Sequence, residues 1–159
     1  MSRIAKIRWN DTSNGKGICV SLFVQGCPHR CEGCFNPETW DFNEGSKPPY
    51  DIKGQIVKGI SEGDVQRNFN ILGGEPLCKE NLEFVDDIVT AVRIAYPHIK
   101  IYLWTGYLYE DLIKRKDKYT KDILDKIDIL IDGPFKIEER DITLELRGSK
   151  NQRIIKLKS

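Results

Sequence analysis

The chain carries almost no excess charge: 25 Lys and Arg stand against 24 Asp and Glu, a formal net charge of +1. That balance leaves no electrostatic footprint for nucleic acid or for an acidic membrane surface. Lys114-Arg115-Lys116 and the basic C-terminus read as solvated faces. No apolar run approaches the length that spans a bilayer, and the N-terminus lacks the hydrophobic core of a signal peptide. Repeats, linkers and low-complexity segments are absent. No convincing Ser–His pair or paired carboxylates are set up for acid–base work. Cysteine is scarce, five in 159 residues, an odd number with three too close together for a disulfide framework. Such thiols belong in a reducing compartment, where clustered cysteines bind metal rather than one another. The expectation is one cytoplasmic domain spanning 1–159, long enough to bury a core.

The informative stretch is Gly26-Cys27-Pro28-His29-Arg30-Cys31-Glu32-Gly33-Cys34-Phe35-Asn36, with its thiols spaced Cys-x3-Cys-x2-Cys. Pro28 and Gly33 break both helix and strand periodicity, so this is a loop folded around something. Converging thiolates need a cation, and soft sulfur ligands select zinc, copper(I) or an iron–sulfur cluster. A closed zinc site needs a fourth protein ligand, from Cys19, Cys78, His29 or a distant group. A cubane held by Cys27, Cys31 and Cys34 leaves one iron open to a substrate, and the local ligand count favours it.

Around this loop the pattern alternates strands and helices. Ile4, Ile7 and Trp9 suggest a short edge strand, and Asn14-Gly15-Lys16-Gly17 a turn. Ile18–Gln25 alternates as a strand whose end delivers Gly26. Asp51 is placed to cap a helix carrying Ile52, Ile56 and Ile60, although Gly54 and Gly59 weaken it. Phe69–Leu72 is a strand ending in Gly73-Gly74-Glu75-Pro76. Leu82, Val85, Ile88, Val89, Val92 and Ala95 make a continuous helical stripe stopped by Pro97. Ile99, Ile101 and Leu103 alternate up to Thr105-Gly106. A helix with Leu108, Leu112 and Ile113 follows, then another near Tyr119–Lys126 and a strand over Ile127–Ile131 ending at Asp132-Gly133-Pro134. Ile142, Leu144 and Leu146 alternate again, before a polar loop over 147–153 and a last strand over Arg153–Leu157. This order predicts an α/β fold with a mostly parallel sheet. It has too few strands for a closed eight-stranded barrel, hence an open, partial (β/α) barrel. The loops at 26–36, 73–76, 105–106 and 132–134 would gather at the carboxyl ends of the strands.

Cys-x3-Cys-x2-Cys after the first core strand, with Gly73-Gly74-Glu75-Pro76 after the next, resembles the radical S-adenosylmethionine superfamily. Many members carry an aromatic residue just before the third Cys; here Gly33 stands there, and Phe35 follows Cys34. Cys31-Glu32-Gly33-Cys34-Phe35-Asn36-Pro37 instead resembles one subgroup, the activating proteins of anaerobic ribonucleotide reductase. Asn14-Gly15-Lys16-Gly17 is similar to the Gly-x-Gly loop of glycyl-radical activating enzymes, although Cys19 stands where a basic residue is expected. Phe35–Trp40, Trp104–Tyr107, Asp132–Phe135 and Arg147–Arg153 are similar to further segments of the subgroup, the last the most diagnostic. The resemblance covers about 150 residues, nearly the whole chain.

The resemblance implies one 4Fe-4S cluster on Cys27, Cys31 and Cys34. It implies S-adenosylmethionine bound through its amino and carboxylate groups to the fourth iron. Gly73, Gly74 and Glu75 would hold the methionine amino group, and the backbone of Gly33, Cys34 and Phe35 the adenine. The implied activity is reductive cleavage to a 5′-deoxyadenosyl radical, which makes a glycyl radical on the large subunit of the reductase. An electron donor such as flavodoxin is implied, and no catalytic residue beyond cluster and S-adenosylmethionine. Two other classes compete. One is a radical enzyme acting on a small molecule, of the deazapurine synthase type, against which Arg147–Arg153 argues. The other is a non-catalytic zinc or iron–sulfur module. Cys19, Cys78 and His29 are expected as packing or loop residues, Cys78 near a helix start where its pKa would fall. Asp132 is open between a ligand contact and a capping role.

Overall fold

The computed structural model describes residues 2–158. Six strands form one mixed sheet whose spatial order follows the chain, β1-β2-β3-β4-β5-β6. They are β1 (Arg3–Asp11), β2 (Cys19–Gln25), β3 (Asn68–Gly73), β4 (Ile101–Trp104), β5 (Ile129–Asp132) and β6 (Arg153–Lys156). The four central strands are parallel, whereas both edges are antiparallel. The parallel expectation therefore holds only for the centre. Residues 12–18 are too few for a crossover, which takes a dozen or more residues. Residues 133–152 contain no helix long enough to carry one.

Between the parallel strands run α1 (Ile52–Ile60), α2 (Leu82–Ala95), the single turn α3 (Tyr109–Leu112) and α4 (Lys118–Lys126). Their apolar stripes share one core with one face of the sheet. Ile52, Ile56 and Ile60 of α1, Val85, Ile88, Val89 and Val92 of α2, and Ile123 of α4 meet Val20, Leu22, Val24, Phe69, Ile71, Ile101, Leu103 and Leu130. The opposite face, with Ser21, Phe23, Gln25, Asn70, Leu72, Tyr102 and Trp104, carries no α-helix among the described residues; irregular chain covers it, with Gln25 donating to the Glu38 and Asp41 carbonyls and Trp104 to that of Leu146.

Several local expectations are revised. β2 is buried on both faces, and Ile18, expected at its start, lies outside it, 41% exposed. Asp51 does hold the N-cap position of α1, but its side chain makes no cap bond. Its carbonyl accepts from Gln55, and its carboxylate lies over Gly54, where a Cβ would come within 2.5 Å of it. The helix expected around Leu108 shrinks to α3, leaving Ile113 and Leu108 exposed, because the chain is soon recaptured at Asp117. Ile142, Leu144 and Leu146 form no strand, and Ile142 is 81% exposed. Asp141 there accepts from the Thr143 N–H and hydroxyl, a local turn that competes with extension. Leu146 takes a positive φ of 62° where its carbonyl accepts from Trp104 Nε1.

Asp117 caps α4: its carboxylate accepts from the Tyr119 and Thr120 N–H groups and from the Thr120 hydroxyl. Burial pushes its pKa up, but these bonds outweigh that and hold it below the ordinary value. The folded pKa is depressed, so the stabilisation is present above the unfolded value and is lost as pH falls through the folded one. Asp117→Ala is expected to cost about 1 kcal/mol at neutral pH. In urea titrations the difference from the parent should shrink as pH drops below about 4.

Candidate cluster and cofactor site

The cluster loop leaves β2 and is fastened at both sides. Gly26 N–H donates to the Thr39 carbonyl (2.6 Å) and Cys27 N–H to that of Trp40 (3.1 Å). The Gly-Gly-Glu-Pro loop leaves β3, the parallel neighbour, and is sewn to the same place. Gly74 N–H donates to Val24 O (2.9 Å) and Glu75 N–H to Gly26 O (2.8 Å). A Cβ at Gly74 would lie 2.4 Å from the Gly26 carbonyl oxygen, so this glycine permits the close approach of two main chains.

Glu75 is the knot of the site. It is 1% exposed, and both carboxylate oxygens are filled from within the protein. Oε1 accepts from Gly106 N–H (2.7 Å) and lies 2.7 Å from His29 Nε2. Oε2 accepts from Leu77 N–H (2.9 Å) and the Thr105 hydroxyl (2.7 Å). One carboxylate thus joins the loops that follow β2, β3 and β4. His29 also stands edge-on to Tyr107, with ring centroids 4.6 Å apart.

The loop after β5 completes the rim. Asp132 is fully buried; it accepts from Tyr109 N–H (2.8 Å), at the start of α3, and from the Arg153 guanidinium. It fills the capping role that the sequence left open beside a ligand contact, and it pairs with Arg153 as well. Gln152 binds segment 147–153 to this loop: its Oε1 accepts from Gly148 and Ser149 N–H, and its Nε2 donates to Gly133 O. Phe35 packs on Phe135, ring centroids 5.1 Å apart, with Gly148 so close that a Cβ there would lie 2.5 Å from the Phe35 ring.

Cys27, Cys31 and Cys34, all partly exposed, line one inner cleft of about 140 Å³ together with Gly73, Gly74 and Glu75. Among the described residues, no three His, Cys, Asp or Glu side chains converge on a single ion's position. Gly33 stands against Ile137 and Phe135, so close that a Cβ there would lie 2.7 Å from Ile137. Cys34, Leu72, Trp104 and Phe135 also border a second, outer cleft of about 420 Å³, where Phe35 joins the lining. Burial pushes the Cys27 thiol up to about 11 and raises that of Cys31, so their thiolates need a nearby cation.

The donor set fits a cluster better than a four-ligand zinc. Cys19 starts β2 and Cys27 follows its end, so the seven-residue strand separates them by about 20 Å. Cys78 is buried, its thiol donating to Glu75 O (3.2 Å), and burial pushes its pKa up to about 12, opposite to the expected fall. His29 is engaged by Glu75. Three soft ligands with none of these as a fourth suit a cubane with one open iron.

The match to known proteins agrees with this chemistry. A family model described as a 4Fe-4S single cluster domain matches residues 13–155. A protein of Vibrio cholerae is 37% identical over 143 residues, 89% of this chain and 90% of that protein. One of Haemophilus influenzae is 37% identical over 149 residues, 93% and 94% of the two chains. One of Escherichia coli is 34% identical over 143 residues, 89% and 90%. Each is named an anaerobic ribonucleoside-triphosphate reductase-activating protein. This chain belongs to that family. The activating-protein resemblance seen in Cys31–Pro37 and Arg147–Arg153 therefore extends over the whole matched length. The links that spacing did not disclose are Thr105 and Gly106 on Glu75, and Gln152 on the loop after β5. In this activating protein the legible signal for them was only a polar or glycine residue after a strand.

Proposed function

We propose that this chain activates an anaerobic ribonucleoside-triphosphate reductase as a radical S-adenosylmethionine enzyme. The observation that carries the reading is the three-thiol loop and the Gly-Gly-Glu-Pro loop, side by side at the ends of β2 and β3 and facing one cleft. The relatives named as activating proteins support the partner, the large subunit of the reductase.

Cys27, Cys31 and Cys34 are the ligands of one 4Fe-4S cluster. When bound, the cluster supplies the electron for reductive cleavage of S-adenosylmethionine, whose radical product takes a hydrogen from a glycine of the reductase. The chain's own residues bind, orient and shield. The backbone of Gly73 and Gly74 receives the methionine end, and Glu75, its acceptor positions already filled, contributes negative charge beside the ammonium. The backbone of Gly33, Cys34 and Phe35 receives the adenine, and the Phe35–Phe135 contact fixes that stretch. No side chain is assigned an acid–base step.

The sequential strand order and the helices gathered on one face support an open, partial (β/α) barrel of the radical S-adenosylmethionine type, formed by a single domain over 1–159. The clefts on its face without α-helices leave room for a polypeptide substrate. Among the described residues no helix is long and apolar enough to cross a membrane. We assign the protein to the cytoplasm, with a small electron-transfer protein such as flavodoxin as donor. The test is 5′-deoxyadenosine formation by the iron-loaded protein with dithionite. The reading expects product coupled to radical formation on the reductase; absence of product from a fully loaded cluster contradicts it.

A further inference from the structure

The outer cleft is lined by two cations and no carboxylate: Arg8 of β1 and Arg147 of the segment before β6. Neither forms an ion pair among the described residues. Arg8 lies over the Phe23 ring, 5.4 Å from its centroid. Asp11 is near enough for Arg8 to help hold its carboxyl low, but Ser13, Asn14 and Ser21 already occupy its oxygens. Arg147 donates through Nη1 to one neutral carbonyl, that of Gln152 (3.1 Å), and its buried Nε has no acceptor at all. A guanidinium is always charged and presents donors as a fork that matches a carboxylate. For part-buried Arg147 the unpartnered Nε is unfavourable and an arriving carboxylate removes that penalty, while exposed Arg8 adds a second positive charge on the same cleft.

We propose that Arg8 and Arg147 receive an acidic side chain of the polypeptide that carries the target glycine. The inference rests on the function proposed above. On that reading the methionine end of the cofactor lies in the inner cleft, beside Gly73 and Gly74. The cofactor's one carboxylate would on that reading be engaged at the open iron, and its adenine end, beside Cys34 and Phe35, is neutral, so the cofactor brings no free anion to the two arginines of the outer cleft. The two clefts adjoin at Cys34 and Trp104, which border both spaces, so a polypeptide lying across one reaches the other. The arginines then set the register of the entering chain, and a substrate segment lacking an acidic residue near its glycine is a poorer ligand.

The test uses iron-loaded protein and the intact reductase large subunit, with Arg147→Gln and Arg8→Gln made separately. Arg8 makes no hydrogen bond that holds the fold, so its variant remains informative if the 147–153 segment shifts in the other. Each variant is expected to keep parental iron content and parental affinity for S-adenosylmethionine. Each should bind the reductase about tenfold or more weakly, with a flatter dependence on salt. Parental affinity of both variants for the reductase overturns the inference. A loss confined to S-adenosylmethionine binding overturns it as well, because the anion would then be the cofactor's. A parent protein that binds no reductase refutes the proposed function itself, and the two failures are thereby distinguished.

Discussion

Cys31→Ala is expected to abolish cluster binding and activation together while leaving the fold intact. Cys31 is partly exposed on the loop after β2 and outside the shared core, so its removal opens no cavity. Its loss leaves Cys27 and Cys34 as the only thiols lining the cleft. The buried thiols Cys19 and Cys78 are held elsewhere and cannot replace it. Loss of an outer-shell partner alone typically lowers metal affinity by roughly 10–100-fold; loss of a direct ligand to a three-ligand cubane is expected to exceed that. The check is iron and sulfide content after anaerobic reconstitution, beside a thermal melt of the unloaded protein. Stoichiometric iron with turnover in the variant would refute the ligand assignment; a melt close to the parent's would show that the fold was not the cause.

Glu75→Ala should act through the fold instead. The carboxylate is the shared acceptor of Leu77, Thr105 and Gly106 and the neighbour of His29, all at the junction of three loops. A buried donor left without its partner costs about 1–3 kcal/mol. Water entering the space relieves part of that, so a total of about 3–6 kcal/mol is expected. Against a typical domain stability of about 5–15 kcal/mol, the variant stands close to unfolding. Glu75→Gln keeps one oxygen and turns the other into a donor. On the Oε2 side the Thr105 hydroxyl can rotate to accept from it, but the Leu77 N–H is left facing a donor, so one buried donor loses its partner and the loss should be about 1–3 kcal/mol. Equilibrium urea titrations of the unloaded proteins measure both. Glu75→Ala within about 1 kcal/mol of the parent would contradict the role of the carboxylate as a structural knot.

The contrast between these variants marks what sequence can disclose. The ligand loop was legible because its information is local: Cys-x3-Cys-x2-Cys lies within eight residues and breaks every regular periodicity. The helices were legible for the same reason, since Ile52, Ile56 and Ile60, or Leu82 through Val92, repeat on one face. Glu75 could be singled out by its motif, but not its partners His29, Thr105 and Gly106, which lie on two other loops. The 137–147 excursion was misread because Ile142, Leu144 and Leu146 alternate as a strand does. What decides their conformation is a turn at Asp141 and the distant indole of Trp104. Strand direction at the sheet edges was equally hidden, because a short apolar alternation reads alike whichever way it runs. Cys78 shows the limit for chemistry: proximity to a helix start suggested an acidic thiol, and burial reversed the sign.

The central claim is that three thiolates hold a cluster whose remaining iron serves a radical reaction on the reductase. Electron paramagnetic resonance of the reductase tests it most directly, after anaerobic incubation with the iron-loaded protein, a reductant and S-adenosylmethionine. The account predicts a carbon-centred radical on the large subunit that requires all components and is absent with Cys31→Ala. A fully loaded protein that gives no such signal, or a native site holding zinc through four protein ligands, would contradict it.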